Sequence, residues 1–168
     1  MKKILIAAKS DNDVLGYQGN LPWHLPADLA FFMSQIKDDF LLTGRSSYES
    51  PQGLEVFGNR EDVVVVTRQV GYTIDKGYVA RAIQEAFDIA NDKGAKRLMI
   101  LGGADVYQQT IDKADELIIT EVHEQFVGDR FFPKIDLGYW EEISRQDFSP
   151  DAENCFGYSF VRYAKKPV

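Results

Sequence analysis

Five short apolar runs constrain the architecture most: Lys3–Ala8 (KILIAA), Phe40–Thr43 (FLLT), Val63–Thr67 (VVVVT), Arg97–Leu101 (RLMIL) and Glu116–Val122 (ELIITEV). Each is continuous rather than alternating, as a strand covered on both faces requires. Between them lie segments of helical period. In Pro26–Ile36, Leu29, Phe32, Met33 and Ile36 recur at i, i+3, i+4 and i+7, an apolar stripe expected to face inward. In Ala82–Lys93, Ile83, Ala86, Phe87 and Ala90 do the same, and Gly94 supplies the stop. A shorter helix is expected from Ala104 to about Thr110, and Tyr78–Ala80 reads as a further short strand. Trp140–Ser149 and Cys155–Tyr163 alternate, with SPDAEN between them, and predict an antiparallel hairpin. The sum is a three-layer α/β fold with a mostly parallel central sheet and a C-terminal antiparallel hairpin.

A length of 168 residues suits one domain over 1–168, with room for a cofactor-binding lobe within about 40–90, where the stretch from Ser46 to Ala80 reads as helix-poor. A net charge of −7 argues against nucleic acid or an anionic membrane as partner, since both want a basic face. No apolar run approaches the length of a membrane span, and the one after Met1-Lys2-Lys3 is too short for a secretory leader. The single cysteine, Cys155, has no internal disulfide partner and is expected as a small core hydrophobe in a reducing compartment. A cytoplasmic monomer is the expectation.

The chemistry-bearing stretch is Gly16–Phe32, GYQGNLPWHLPADLAFF. Pro22 and Pro26 bracket a stiff Trp23-His24-Leu25 link, and Pro26 fits a first helical position because its missing N–H has no intrahelical partner there. Asp28 then falls in the first turn, where the helix dipole favours an acid, with Phe32 four residues on over the same face. Its neighbours Ala27, Leu29 and Phe31 are apolar, and a carboxylate in such surroundings is costly unless a ligand donor pairs with it. Asp28 is therefore a candidate ligand anchor, and the Gly- and Asn-containing loop Asp11–Asn20 a candidate cover.

Open parallel sheets bind ligands at the carboxyl ends of their strands, and three strand ends here share a pattern. Gly44-Arg45-Ser46-Ser47 offers a tight turn, a cation and two hydroxyls; Thr67-Arg68 offers a hydroxyl and a cation; Gly102-Gly103-Ala104 brings backbone N–H groups close to a ligand. Together they describe a site for a molecule with several phosphates. The two histidines, His24 and His123, have no cysteine or carboxylate at ligand spacing, so no metal site is expected. No serine near Arg45 has a base beside it in sequence, which leaves nucleophilic serine chemistry unsupported.

LPWHLPADLAFF, preceded by Val14-Leu15-Gly16, resembles the signature of the dihydrofolate reductase family. The resemblance extends to LLTGRSSYES, LMILGGADVY and ELIITEVHEQFVGDRFFP, and so to nearly the whole chain. It implies NADPH as cofactor, dihydrofolate as substrate and antifolates as ligands. Hydride goes to C6 of the pterin and a proton to N5. It makes Asp28, Leu21, Trp23 and Thr120 the catalytic group: Asp28 orients the pterin, Thr120 holds Asp28, and water near Leu21 and Trp23 brings the proton. Substrate contacts are implied for Ile6, Ala7, Leu29, Phe32 and Leu101, and also for Ser50, Phe57, Arg60 and Tyr107. Cofactor contacts are implied for Ala8, Leu15, Gly16, Gly19, Asn20 and Leu21 on the loop side. At the strand ends they are implied for Gly44, Arg45, Ser46, Ser47, Thr67, Arg68 and Arg81, and for Leu101, Gly102, Gly103, Ala104, Asp105, Val106 and Tyr107. Arginine's multi-donor fork suits a 2′-phosphate better than a ribose hydroxyl. Two departures stand out: Ala104 replaces a third glycine, and Glu61-Asp62 follow Arg60, the counterpart of the family's tail-binding arginine, where acid would weaken its hold on a carboxylate. A pyrimidine reductase of riboflavin synthesis shares fold and cofactor but lacks the Pro-Trp…Asp-Leu…Phe pocket. A folate- or nucleotide-binding module without turnover is the reading from another class.

Overall fold

A computed structural model describes residues 1–16 and 18–167; Tyr17, inside the expected 11–20 loop, and Val168 lie outside the described residues. The strands are β1 (Lys2–Ser10), β2 (Val14–Gly16), β3 (Phe40–Gly44), β4 (Val63–Val66), β5 (Tyr78–Ala80), β6 (Arg97–Ile100), β7 (Glu116–Val122), β8 (Arg130–Phe131), β9 (Trp140–Phe148) and β10 (Tyr158–Lys165). The helices are α1 (Pro26–Ile36), α2 (Arg45–Glu49), α3 (Pro51–Phe57), α4 (Ile83–Asp92) and α5 (Ala104–Thr110).

Eight strands form one sheet in the order β5-β4-β3-β6-β1-β7-β10-β9, and β2 pairs with β8 apart from it. The six strands from β5 to β7 run parallel. Strand β10 is antiparallel to β7 and to β9, which makes the C-terminal hairpin. The strands of the 40–90 stretch are hydrogen-bonded into this same sheet.

Alternate side chains of a strand point to opposite faces, and that alternation sorts the core into two layers. From β1 and β7, Leu5, Ala7, Leu117 and Ile119 pack with Ala86 and Phe87 of α4 and Val106 and Tyr107 of α5. Ile4, Ile6 and Ile118 point the other way, onto Ile36 of α1 and Val56 and Phe57 of α3. Burying one such aliphatic side chain stabilises by about 1.5–3 kcal/mol, so both faces need cover. Helices on both faces of a central sheet are the three layers.

Three expectations need correction. The 46–80 stretch is not helix-poor at its start, because α2 and α3 occupy it. Ser50 supplies the reason: its hydroxyl accepts from Gly53 N–H at 3.0 Å, and Pro51 takes the first turn, which together start a helix. Cys155 is exposed, not a core residue, since the 149–157 connection runs over the surface. On α1, Ile36 is fully buried but Leu29 and Met33 are 38% and 39% exposed, so part of the apolar stripe is left uncovered by the core. Arg60 is held within the fold by Asp62 and by backbone carbonyls of 36–39.

Candidate active site

Thr120 lies two residues from Ile118 on β7 and therefore projects from the same face, toward α1. Its hydroxyl donates to Asp28 Oδ1 at 2.6 Å. Asp28 retains 9% of its surface and Thr120 3%, so the pair is almost wholly enclosed. Burial pushes the Asp28 carboxyl above its ordinary value, and the Thr120 bond pulls it part of the way back. Phe32, half-buried, packs against the cluster that contains Ile6, Met99 and Leu101, while Leu29 is exposed.

The start of α1 is held by a residue that the sequence reading missed. Leu25 precedes the helix without a side-chain cap. The missing acceptor comes from Asn154, whose side-chain oxygen accepts from Ala27 N–H at 3.0 Å. Asn154 is itself buried and fixed by Asp151, through its backbone N–H at 2.8 Å and its amide at 3.0 Å. The only available signal was an Asn in a turn-rich connection, with nothing to say which helix it serves.

Trp23 is 6% exposed and packs with Leu25, Val122 and Tyr158. Its indole N–H is the one fully buried side-chain polar group without a protein partner among the described residues. Buried donors of this kind take a partner, from water or a ligand. Leu21, two residues before it, is 41% exposed. The 11–20 segment is tied to the 124–132 segment opposite. Gln18 N–H donates to Asp129 Oδ2 at 3.0 Å, Asp129 N–H donates to Gly16 O at 3.0 Å, and Asn12 exchanges two bonds with the Phe126 backbone. Gly128 must be glycine for this approach, since a Cβ there would stand 2.3 Å from Val14 Cγ1.

The paired glycines close the other side. The peptide joining Gly102 and Gly103 is cis, and Gly102 has φ +91°. A Cβ on Gly102 would lie 2.6 Å from the Tyr107 ring, so only glycine fits. Gly102 O accepts from Gly44 N–H at 2.8 Å and from the Thr43 hydroxyl at 3.1 Å, which locks the ends of β3 and β6 together. A Cβ on Gly103 would stand 3.2 Å from Ser47 Oγ. Gly103 thus lies close against the first turn of α2. Tyr107 is buried with its hydroxyl donating to Ile6 O at 2.7 Å, and burial, then the Asp28 charge, pushes its phenol well above its ordinary value. It is a packing and hydrogen-bonding residue that keeps its proton.

Register places three arginines at neighbouring strand ends. Gly44, Val66 and Ala80 align across β3, β4 and β5, and Arg45 and Arg81 directly follow the outer two. Arg68 follows β4 after Thr67. Arg45 is paired with Glu49 at 3.0 Å, whereas Arg68 and Arg81 are exposed and make no side-chain ion pair among the described residues. Thr67 is buried, and its hydroxyl accepts from Gln69 N–H at 3.1 Å. Ser46 is exposed, Asp105 lies exposed in the first turn of α5, and Val106 is buried behind it.

The remaining expected residues fall as follows. Ala7 is buried on the α5 face, while Ala8, Leu15 and Gly16 are half-buried near the covering loop. Gly19 and Asn20 are exposed, Gly19 with φ +82°. Leu101 is 9% exposed, and Ala104 is half-buried. Ser50 and Phe57 have places in the scaffold: the Ser50 hydroxyl caps α3, and Phe57, 4% exposed, packs in the core between α3 and the sheet. No group of three or more acidic, histidine or cysteine side chains that could hold a metal occurs among the described residues.

Fold and site define the class first: a doubly covered, mostly parallel α/β protein with a buried acid at a helix start and arginines at neighbouring strand ends. The dihydrofolate reductase family model matches residues 3–165. Dihydrofolate reductase of Bacillus subtilis (strain 168) is 32% identical over 161 residues, covering 96% of this chain and 93% of its own. Dihydrofolate reductase HdrB of Haloferax volcanii is 35% identical over 170 residues, covering 97% and 83%. A dihydrofolate reductase from Enterococcus faecalis, solved with NADP(H) and RAB-propyl, superposes with a TM-score of 0.82 at 30% identity, covering 99% of this chain and 97% of its own. The chain belongs to the dihydrofolate reductase family.

Proposed function

We propose that this protein reduces 7,8-dihydrofolate to 5,6,7,8-tetrahydrofolate with NADPH, in support of one-carbon metabolism. The observation that carries the reading is the enclosed Asp28–Thr120 pair at the start of α1. An ionised carboxylate accepts two N–H donors in parallel, the pattern offered by the amino group and N3 of a pterin. Asp28 thereby fixes the ring in the cleft, with Leu29 and Phe32 on one side and Ile6 and Leu101 beneath. Thr120 keeps the carboxylate aimed.

The cofactor site has a feature that suits it: Tyr107 leaves no room for a Cβ on Gly102, so the chain carries bare glycine backbone there, next to arginines at the strand ends. NADPH, when bound, supplies the hydride that goes to pterin C6. The glycine pair, Ala104 and Tyr107 border its reactive end, and Arg45, Arg68, Arg81 and the Ser46-Ser47 hydroxyls its phosphate end. The 11–20 loop covers the cleft and excludes water from the reacting carbons. A proton for N5 arrives from solvent beside Leu21, where the unpaired Trp23 indole N–H can hold a water.

The protein is read as binding antifolates in the same cleft and as acting as a cytoplasmic monomer with no nucleic-acid or membrane partner. Its net charge of −7 and single cysteine support this, and no described helix is long and apolar enough to cross a membrane. One assay tests the function. NADPH absorbance falls only when dihydrofolate is present and stops falling with methotrexate; tight binding of both without turnover would overturn it.

A further inference from the structure

Arg60 shows how this site treats the far end of its substrate. A guanidinium has five N–H donors, and here each has an acceptor. Nε and Nη2 form a two-pronged pair with Asp62, at 2.9 Å to Oδ1 and 3.0 Å to Oδ2. Nη1 donates to Ile36 O at 3.1 Å and Lys37 O at 3.3 Å, and the second Nη2 proton goes to Asp39 O. Arg60 thus clamps the last turn of α1 to the start of β3. The Arg60 side chain is 18% exposed, against 46% for Asp62.

Asp28 stands in the first turn of α1 and Lys37 just beyond its last, about 13 Å apart at 1.5 Å per residue. A pterin held by Asp28 and laid along the helix brings its glutamate tail, with two carboxylates, to the Arg60 end. The strong mode of carboxylate binding by arginine is the parallel fork of Nε and one Nη. That fork is already closed by Asp62, from two residues away in the same chain. A tail tethered through its bound pterin also meets the arginine at a high local concentration, but it gains the fork only by breaking both Asp62 bonds, which cancels most of what the new pair would contribute.

We infer that Asp62 is a specificity-determining residue: its carboxylate occupies the arginine fork that a substrate tail would use. The enzyme therefore reads the pterin and is nearly indifferent to the charge of the glutamate tail. This rests on the reductase reading above and sharpens it.

The test compares dihydrofolate with its isosteric α,γ-diamide, whose tail is uncharged, at low ionic strength. In the unaltered enzyme, kcat/KM for the two substrates agrees within about three-fold. Asp62→Asn opens the fork and lowers KM for dihydrofolate about ten-fold, with kcat and the diamide unchanged; Asp62→Ser gives the same split. Had Asp62 only a structural role, both substrates would suffer together. A preference above ten-fold for the charged tail in the unaltered enzyme overturns the inference even if neither variant folds. So does a ratio that both variants leave unmoved. An enzyme that reduces neither substrate fails the reductase reading itself, and the inference with it.

Discussion

Asp28 is most costly to the fold when ionised, the state in which the proposed function has it hold the pterin. Its carboxyl is raised above the ordinary value by burial, so between the unfolded-state pKa near 3.9 and the higher native one the folded protein holds more protons than the unfolded chain. Stability then falls as pH rises through that window, and the deficit persists at neutral pH. Asp28→Asn keeps the shape and can still accept from Thr120, but it carries no charge. It should raise Tm at pH 7, by roughly 2–4 °C for each kcal/mol relieved, and the gain should vanish below about pH 4, where the native acid is also protonated. The same variant should lose about 100-fold or more in kcat/KM for dihydrofolate, the cost of removing one well-placed electrostatic partner. Calorimetry beside steady-state kinetics checks both. Thr120→Val acts in the opposite sense on the titration. Without its donor the carboxyl rises further, so the acid limb of the kcat/KM profile should move to higher pH.

At the scale of elements, α1 is an acid-bearing rod pinned at both ends by distant groups, Asn154 at its start and Arg60 at its last turn. Replacing Asn154 with Ala should cost about 1 kcal/mol, as for a lost cap, visible as a lower urea midpoint with an unchanged slope. Because the cap seats the turn that carries Asp28, KM for dihydrofolate should rise several-fold while KM for NADPH holds. How much of this was legible follows from the range of each interaction. The buried strands could be read directly, because VVVV and RLMI are continuous and local. So could Asp28, whose helix start is announced by Pro26 within two residues. Helix α3 escaped because Ser50-Pro51-Gln52-Gly53 reads as a turn, although its serine and proline are also a helix start. The α1 stripe was visible, but period alone cannot distinguish a core face from an apolar face left open, and Leu29 and Met33 are exposed. Asn154 is separated from its partner by 127 positions, and no local pattern announces it.

The whole molecule carries a net charge of −7 and must still hold an anionic cofactor. Where the cations sit, not how many there are, resolves the conflict. Parallel pairing of β3, β4 and β5 in register brings Arg45, Arg68 and Arg81 to one edge, although they are far apart in sequence. The three are not equivalent. Arg45 is engaged by Glu49, which also repels an approaching phosphate, while Arg68 is exposed and makes no ion pair among the described residues. Exposed pairs of the Arg45–Glu49 kind are worth under about 1 kcal/mol, so Arg45 contributes little to the fold and a discounted charge to the ligand. A charge-assisted bond from a free arginine is worth about 1.5–3 kcal/mol. Arg68→Gln should therefore raise KM for NADPH about ten-fold or more, leave KM for NADH and for dihydrofolate unchanged, and flatten the rise of the NADPH KM with salt. Arg45→Gln should do the same to a smaller extent. Steady-state kinetics with both cofactors across an ionic-strength series separates the outcomes. Equal losses with NADPH and NADH would mean that Arg68 supports the cofactor through its shared phosphates or through the fold, and that the 2′-phosphate lies elsewhere along the edge.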